Sequence, residues 1–356
     1  MEFPKKILII SPAWLGDIVI AQSLFKYLKK QGAITIDIIA PRWSHELIAT
    51  MPELNEIIDM PLGHSQLQLR RRWQIGKLLR NKNYQQAIVL PNSWKSAIIP
   101  FAANIPIRTG WRGEMRFRLL NDCRTLPQKK LPLMVQRFLA LGSVPISNKA
   151  ISWENYKPYL KIDPKQVKNT LKVLSLELTK KPLLALCPGA AFGPAKRWPA
   201  KYFSEIAKYK LMEGWTICLL GSKNDHAIGQ SIQKLSNNAC IDFIGKTSLI
   251  QAIDILSLAT VVVSNDSGLM HCAAALNRPL IALYGSSSAE FTPPLTNSKR
   301  ILSLNLSCSP CFQRECPLVH FNCLKQLKPN QVLVAIDELI KMDQLFSNTK
   351  ITKNSS

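Results

Sequence analysis

Acidic residues are scarce in this sequence of 356 residues, which has only 23 Asp and Glu against 46 Lys and Arg and a formal charge of +23. A charge this far from zero indicates anionic partners and not a particular fold. The candidate partners are nucleic acid, an anionic membrane surface and a phosphate-rich substrate. No recognisable nucleic-acid-binding motif accompanies the charge, which argues against the first.

Long apolar runs are also missing. No uncharged stretch approaches the ~18 residues that a membrane-spanning helix needs. The apolar residues 7–10, which follow Lys5 and Lys6, are too few for a signal peptide. The nine cysteines are odd in number, and several stand singly in apolar runs, which is typical of buried thiols in a reducing compartment. We therefore expect a cytosolic protein that at most lies on a membrane.

Short β-branched runs alternate with amphipathic segments, which predicts βαβ units around parallel sheets. The predicted strands are 6–10, 34–40, 57–60, 87–90 and 107–110 in the first half, then 183–187, 216–220, 241–244, 261–263 and 280–284. The alternation is lost between Ser143 and Pro182, where we place the linker. We expect two α/β domains, 1–160 and 161–345, with a last helix over 331–342 and a disordered tail at 346–356.

Basic residues concentrate in one part of the first domain. Residues 70–137 contain 15 Lys and Arg against 2 Asp and Glu, a net charge of +13, whereas the rest of residues 1–160 has 8 of each sign. Arginine dominates, with Trp73, Trp94 and Trp111 interleaved, and its guanidinium binds phosphate and carboxylate in a bidentate manner. A surface for an anionic ligand explains this segment better than a solvated face.

The segment SPAWLGD at 11–17 follows the first predicted strand and opens a helix. Ligands of α/β sheets bind at the carboxyl ends of strands, so the location suits a site. Gly16 allows close approach of the backbone, and Asp17 is a candidate general base. Asp is also a preferred N-cap residue, so helix capping alone is the alternative.

Two segments of the second domain have the features of a phosphate site. PGAAFGPAKRWP at 188–199 has small residues for close approach, the charges of Lys196 and Arg197, and a proline suited to the start of a helix. It lacks the Gly-Lys-Ser/Thr ending of a Walker loop, and a basic surface loop is the alternative. In VVVSNDSGLMH at 261–271 a buried strand enters a polar turn that opens a helix, where backbone N–H groups and the helix dipole attract anions. N-capping by Asp266 or Ser267 explains this cluster less completely.

Four cysteines and a histidine stand within sixteen residues and resemble a zinc site, namely Cys308, Cys311, Cys316, His320 and Cys323. The spacing is irregular and a second Cys-x-x-Cys pair is missing, so free thiols are the alternative. No carboxylate pair suited to Mg²⁺ lies near the phosphate motifs, and we expect no catalytic metal.

Together these segments resemble the lipopolysaccharide heptosyltransferases of glycosyltransferase family 9. The resemblance spans residues 6–340 and is carried by SPAWLGD at 11–17, RTGWRGEMR at 108–116, PGAAFGPAKRWP at 188–199, NDSGLMH at 265–271 and YGSSSAEFTPPL at 284–295. It implies a GT-B fold in which two Rossmann-like domains with parallel sheets face each other across a cleft. The N-terminal domain then binds the acceptor, and the C-terminal domain binds ADP-heptose.

The resemblance also implies the reaction. It is an inverting, metal-independent transfer of L-glycero-D-manno-heptose from ADP-heptose to the first inner-core heptose of Kdo-lipid A, without a cofactor. RTGWRGEMR and FGPAKRWP favour this step over addition of the first heptose. The implied location is peripheral, on the cytoplasmic face of the inner membrane. Transfer at another inner-core position and, more remotely, a nucleotide-sugar epimerase of the same architecture are the alternatives.

Residue roles follow from the same resemblance. Asp17 matches the family's proposed base, and Lys196 matches the lysine on the donor phosphates. The donor contacts match Asp266, Ser267, Gly268, Leu269, Met270 and His271, and the expected acceptor contacts are Arg108, Arg112, Arg116 and Arg118. One position departs from the family pattern: where relatives have an acidic ribose-binding residue after the strand that ends near Gly221, this chain has Lys223.

Overall fold

A computed structural model describes residues 5–63, 67–143, 151–177 and 181–353, with the side chains of the last helix described up to Asp343. The chain divides into two compact units between Tyr159 and Leu160. Each unit contains one six-stranded sheet in which every pairing is parallel.

The first unit alternates strands with helices. Its strands are β1 (Lys6–Ile10), β2 (Thr35–Ala40), β3 (Glu56–Asp59), β4 (Gln86–Val89), β5 (Ile107–Trp111) and β6 (Asp122–Arg124). Its helices are α1 (Leu15–Lys30), α2 (His45–Ile48), α3 (Leu69–Leu79), α4 (Ile98–Ala102) and α5 (Met134–Gly142).

The second unit repeats this plan. Its strands are β7 (Leu183–Cys187), β8 (Thr216–Leu219), β9 (Ile241–Asp242), β10 (Val261–Asn265), β11 (Leu280–Leu283) and β12 (Lys299–Leu302). Its helices are α6 (Pro164–Val173), α7 (Ala200–Met212), α8 (His226–Leu235), α9 (Leu249–Leu258), α10 (Gly268–Ala275), α11 (Asn322–Lys325) and α12 (Pro329–Lys353).

Both sheets have the strand order of a doubly wound Rossmann fold. The first is ordered β3-β2-β1-β4-β5-β6, and the second has the equivalent order β9-β8-β7-β10-β11-β12. The direction of winding reverses between β1 and β4 and between β7 and β10. Loops that leave neighbouring strands at such a switch point diverge to opposite faces of the sheet and leave a crevice, which is where ligands of these folds bind.

The central strands are apolar because helices cover both faces of each sheet. All five residues of β7 and of β10 are buried, as are four of the five in β1. The ten predicted strands are confirmed, with ends shifted by up to two residues. Within the described residues, no helix is long and apolar enough to cross a bilayer.

The division between the two units falls inside the predicted linker, and the structure differs from the prediction in two details. Part of the predicted linker forms α6, which begins where Asp163 accepts a hydrogen bond from the Lys165 N–H and is joined to α9 by the bond from Thr170 to Asp254 (2.7 Å). The last helix runs to Lys353 and so includes residues 346–353 of the predicted disordered tail, because the sequence after Met342 has no proline or glycine to end it. Residues 354–356 lie outside the described residues.

Candidate active site

The switch point of the second sheet brings the two predicted phosphate segments together. The loop after β7 carries Lys196 in a short 3₁₀ turn, Pro194–Lys196, and the loop after β10 carries Asp266. Lys196 Nζ lies 2.5 Å from Asp266 Oδ2, and the two side chains are only 17% and 5% exposed. The carboxylate therefore holds this ammonium group in a fixed position beside the crevice.

Asn265, the last residue of β10, joins the two loops through its amide. Its Oδ1 accepts a hydrogen bond from the Trp198 N–H (3.1 Å), and its Nδ2 donates one to the Pro188 carbonyl (2.7 Å). The Trp198 indole is fully buried and donates to the Leu327 carbonyl. The segment 188–199 is thus anchored at both ends, with Lys196 between the anchors.

An acidic residue follows β8 after all, two positions beyond Lys223. Asp225 is buried, accepts hydrogen bonds from the Ser222 N–H (2.9 Å) and hydroxyl (2.7 Å), and lies 3.7 Å from the Arg197 guanidinium. A Cβ at Gly189 would meet the Asp225 carboxylate at 2.4 Å, so the loop needs glycine there. Asp225 thus positions the loop after β7, a role that the sequence indicates only once the fold is known.

Helix α10 begins at this crevice. Ser267 occupies its N-cap position, as one alternative predicted, but its side chain makes no capping hydrogen bond. The first N–H groups of a helix have no acceptor within the helix and can bind an anion. Met270 is fully buried and belongs to the core, whereas Ser267, Gly268 and Leu269 are partly exposed.

His271 is buried in the same helix, and the charges of Lys196 and Asp266 both affect its pKa. Burial is the main cause that lowers its pKa to about 4; Lys196 lowers it further and Asp266 opposes the shift. The imidazole is therefore neutral at pH 7. It contributes no charge of its own beside the Lys196–Asp266 pair.

The turn after β11 places two unpartnered hydroxyls at the same edge of the sheet. Ser286 and Ser287 are 1% and 6% exposed, and neither buried Oγ atom has a hydrogen-bond partner among the residues that the structure describes. Buried hydroxyls normally have partners, so they are available to a ligand or a bound water. The sequence indicates them only through the resemblance of YGSSSAEFTPPL.

In the first unit, Asp17 is the third residue of α1 and is partly exposed at the carboxyl edge of β1. The N-cap position belongs to Trp14, so the prediction that Asp17 could be a capping residue is wrong. A carboxylate in the first turn still interacts favourably with the helix dipole.

The four predicted acceptor arginines divide into two pairs. Arg116 is fully buried, and its guanidinium donates to the Trp111 carbonyl (2.8 Å) and to oxygens of residues 91, 92, 93 and 96. Arg108 donates to the Leu119 and Ile105 carbonyls and lies over Phe101. For Arg116 the prediction of direct acceptor contact is wrong, because protein acceptors already occupy its buried guanidinium group. Arg108 is only half-buried, and its contact with the acceptor stays a prediction. Arg112 and Arg118 are exposed.

The triplet at 70–72 also divides. Arg70 and Arg71 are exposed, but Arg72 is buried and donates to the Leu67 and Lys95 carbonyls. Successive residues of a helix point in directions about 100° apart, so Arg72 can be buried while Arg70 and Arg71 are exposed.

The cysteine segment gathers its thiols into one cluster. Burial raises the pKa of the Cys323 thiol, and Cys308, Cys311 and Cys316 raise it further, so all three lie near it. They line a small cavity together with His320 and Ser286. All nine cysteines of the chain are free thiols. Among the described residues, no three His, Cys, Asp or Glu side chains are arranged to hold a metal ion.

Comparison with known proteins gives consistent relatives. The family model described as glycosyltransferase family 9 (heptosyltransferase) matches residues 72–321. The chain is 43% identical over 343 residues to lipopolysaccharide heptosyltransferase 2 of Salmonella typhimurium, covering 94% of this chain and 98% of the relative. It is 46% identical over 313 residues to lipooligosaccharide heptosyltransferase 2 of Haemophilus ducreyi, covering 84% and 88%. A match to lipopolysaccharide heptosyltransferase 1 of Pseudomonas aeruginosa is 30% identical and covers 34% of each chain.

Among solved structures, ADP-heptose lps heptosyltransferase II of E. coli superposes with a TM-score of 0.83 at 38% identity and covers 95% of this chain and 99% of that one. This similarity confirms the predicted fold class, an α/β chain of GT-B type with two Rossmann-like domains. The conserved architecture extends to both sheets described above.

Proposed function

This chain belongs to glycosyltransferase family 9 and is a heptosyltransferase of lipopolysaccharide core biosynthesis, and on that premise we propose its donor, its acceptor and the residues that act on them. The donor is ADP-heptose, and the acceptor is the first inner-core heptose of Kdo-lipid A. The second unit binds the donor, and the first unit binds the acceptor.

The observation that carries the donor assignment is the Lys196–Asp266 pair at the switch point of the second sheet. A diphosphate placed there meets the Lys196 ammonium and the unsatisfied N–H groups at the start of α10. Negative charge grows on the diphosphate as its bond to the anomeric carbon breaks. A cation fixed in advance by Asp266 stabilises that charge without reorganising, which is the most effective form of electrostatic catalysis.

Asp17 acts as the base on the acceptor in this proposal. It takes the proton of the attacking hydroxyl while the oxygen forms a bond to the anomeric carbon and ADP leaves from the opposite side, which inverts that carbon. Its place at the carboxyl edge of β1, the switch point of the first sheet, supports the assignment. A positioned carboxylate of this kind typically contributes ~10²–10⁴-fold to the rate.

Arg112 and Arg118 are the proposed acceptor contacts, because both guanidinium groups are exposed next to a rigid support. The buried Arg116 between them ties their loop to the segment after β4, and a Cβ at Gly113 would meet the Asn92 carbonyl at 2.8 Å. Their fork suits the carboxylates and phosphates of an inner-core lipid.

Addition to an existing heptose is favoured over addition of the first heptose by the extent of the similarities. Four heptosyltransferase 2 relatives match at 41–46% identity over 84–95% of this chain, whereas a heptosyltransferase 1 relative matches at 30% identity over 34%.

We place the enzyme on the cytoplasmic face of the inner membrane, held by one surface of the first unit. This surface is formed by the start of α3, the segment at 94–95 and the loop after β5. Arg72 of α3 donates a hydrogen bond to the Lys95 carbonyl, and the Trp94 N–H donates one to Glu114 (2.8 Å). Its exposed side chains are basic, aromatic and apolar: Arg70, Arg71, Trp73, Trp94, Arg112, Met115, Phe117 and Arg118. Met115 is 85% exposed and Phe117 57%, an arrangement that suits the interface of an anionic bilayer.

Mass spectrometry of the reaction products tests the function. With ADP-heptose, the enzyme should extend Kdo-lipid A that carries one heptose and should leave Kdo-lipid A without heptose unchanged. The extension should also occur in the presence of EDTA. Extension of the heptose-free lipid instead would contradict the acceptor assignment. Isomerisation of ADP-heptose without any lipid product would favour the epimerase.

A further inference from the structure

The cysteine segment, residues 308–323, packs against the loop that carries Lys196. The Arg314 carbonyl accepts a hydrogen bond from the Ala195 N–H (3.0 Å). A Cβ at Gly193 would lie 2.4 Å from that carbonyl oxygen, so the two backbones are in close contact. The segment is also bound to the turn after β11, through a bond from the Phe312 N–H to the Ser286 carbonyl (2.7 Å) and one from the Ser309 hydroxyl to the Gly285 carbonyl.

These contacts bring the Arg314 side chain next to the proposed phosphate site. Its guanidinium carbon lies 5.5 Å from the centre of the Phe192 ring, and Lys196 Nζ lies 5.0 Å from the same centre. Two cations thus lie beside one aromatic ring, which attracts each of them, while their like charges repel each other. A dianionic ligand between or beside them would relieve that repulsion.

Arg314 differs from the neighbouring cations Lys196 and Arg197 in its ion pairing. Lys196 is paired with Asp266, and Arg197 lies 3.7 Å from Asp225. Arg314 takes part in no ion pair within the ranges that the structure describes, and its side chain is exposed. Of these three cations, Arg314 is therefore the one that has no paired carboxylate among the described residues.

We propose that Arg314 binds the diphosphate of the donor together with Lys196, so that the cysteine segment is a part of the donor site. The inference rests on the proposed function of the second unit as the ADP-heptose-binding domain. Arg314 provides forked donors for two phosphate oxygens, and Lys196 provides a point charge. The thiol cluster and the two bonds to the turn after β11 hold the segment in place.

Calorimetry with ADP, AMP and adenosine tests this assignment on four proteins: wild type, Arg314→Ala, Lys196→Ala and Gln313→Ala. The Arg314 contact with Ala195 is made by the backbone, so the substitution to alanine leaves it intact. Gln313 is the exposed neighbour and serves as the matched control. We expect Arg314→Ala to weaken ADP binding by about 10–100-fold, the range for a charge-assisted hydrogen bond. Adenosine binding should be unchanged, and Gln313→Ala should match the wild type with every ligand.

The outcomes separate the two proposals. ADP binding that is weakened by Lys196→Ala but not by Arg314→Ala overturns the role of Arg314 and leaves the donor site in place. An equal loss for ADP and adenosine in Arg314→Ala shows a structural role and also overturns it. A wild-type protein that binds none of the three nucleotides contradicts the proposed function itself.

Discussion

At the scale of single residues, the catalytic role proposed for Asp17 can be tested separately from helix stability. Its carboxylate lies in the first turn of α1, but the N-cap position belongs to Trp14. Asp17→Asn keeps the shape of the side chain and removes its charge. We expect turnover to fall by ~10²–10⁴-fold and the free energy of unfolding by no more than about 1 kcal/mol, the usual size of a helix-dipole contribution. Steady-state kinetics and thermal unfolding measure the two effects, and near-normal turnover would remove Asp17 from the reaction.

His271 predicts a pH dependence of stability. Its pKa is lowered to about 4 in the folded chain, mainly by burial, from 6.5. Between these pH values the unfolded chain binds a proton that the folded chain does not. The free energy of unfolding is therefore highest above pH 6.5 and falls as the pH drops towards 4, by at most about 3 kcal/mol from this residue.

Urea unfolding of wild type, His271→Gln and His226→Gln at pH 7 and pH 4.5 checks this dependence. His226 is exposed on α8 and is the matched control. The pH dependence should shrink in His271→Gln and stay unchanged in His226→Gln. Equal slopes in all three proteins would show that His271 titrates normally in the folded state.

At the scale of elements, the loop after β5 contains both a structural and a proposed functional arginine. Arg116→Ala removes several hydrogen bonds to buried oxygens, so we expect the thermal midpoint to fall by about 4–10 °C. Arg118→Ala should leave the midpoint unchanged and raise the KM for the lipid acceptor. Thermal unfolding together with acceptor kinetics distinguishes them. A stable Arg116→Ala protein with weakened acceptor binding would restore Arg116 as a direct contact.

The sequence predicts every inner strand and misses two of the four outer strands. Apolar strands such as β7 and β10 are evident because both of their faces are buried. The missed strands, β6 and β12, are outer strands of three and four half-buried residues that begin with a charged residue, so they have no apolar periodicity. In the site, motif position predicts Lys196 and Asp266. The burial of Arg116 and the docking of Arg314 depend on contacts distant in sequence, which local patterns do not reveal.

At the scale of the whole molecule, the charge of +23 predicts binding to anionic membranes through the first unit. Arg70→Glu with Arg71→Glu should weaken co-sedimentation with anionic vesicles by at least ~10-fold. Lys168→Glu with Lys172→Glu makes the same change of charge on exposed residues of α6 and should have a smaller effect. Added salt should weaken binding of the wild type, because exposed charges are screened beyond roughly 10 Å at about 0.1 M. Equal losses in both double variants would indicate attraction by net charge without a defined surface.

The most direct measurement is a crystal structure of the protein with a non-transferable analogue of ADP-heptose. The diphosphate should lie at the switch point of the second sheet, within hydrogen-bond distance of Lys196 and the first N–H groups of α10. The Arg314 guanidinium should reach the same phosphates. Nucleotide bound in the first unit, or in the second unit away from Lys196 and α10, would contradict the assignment of the donor site and the mechanism that depends on it.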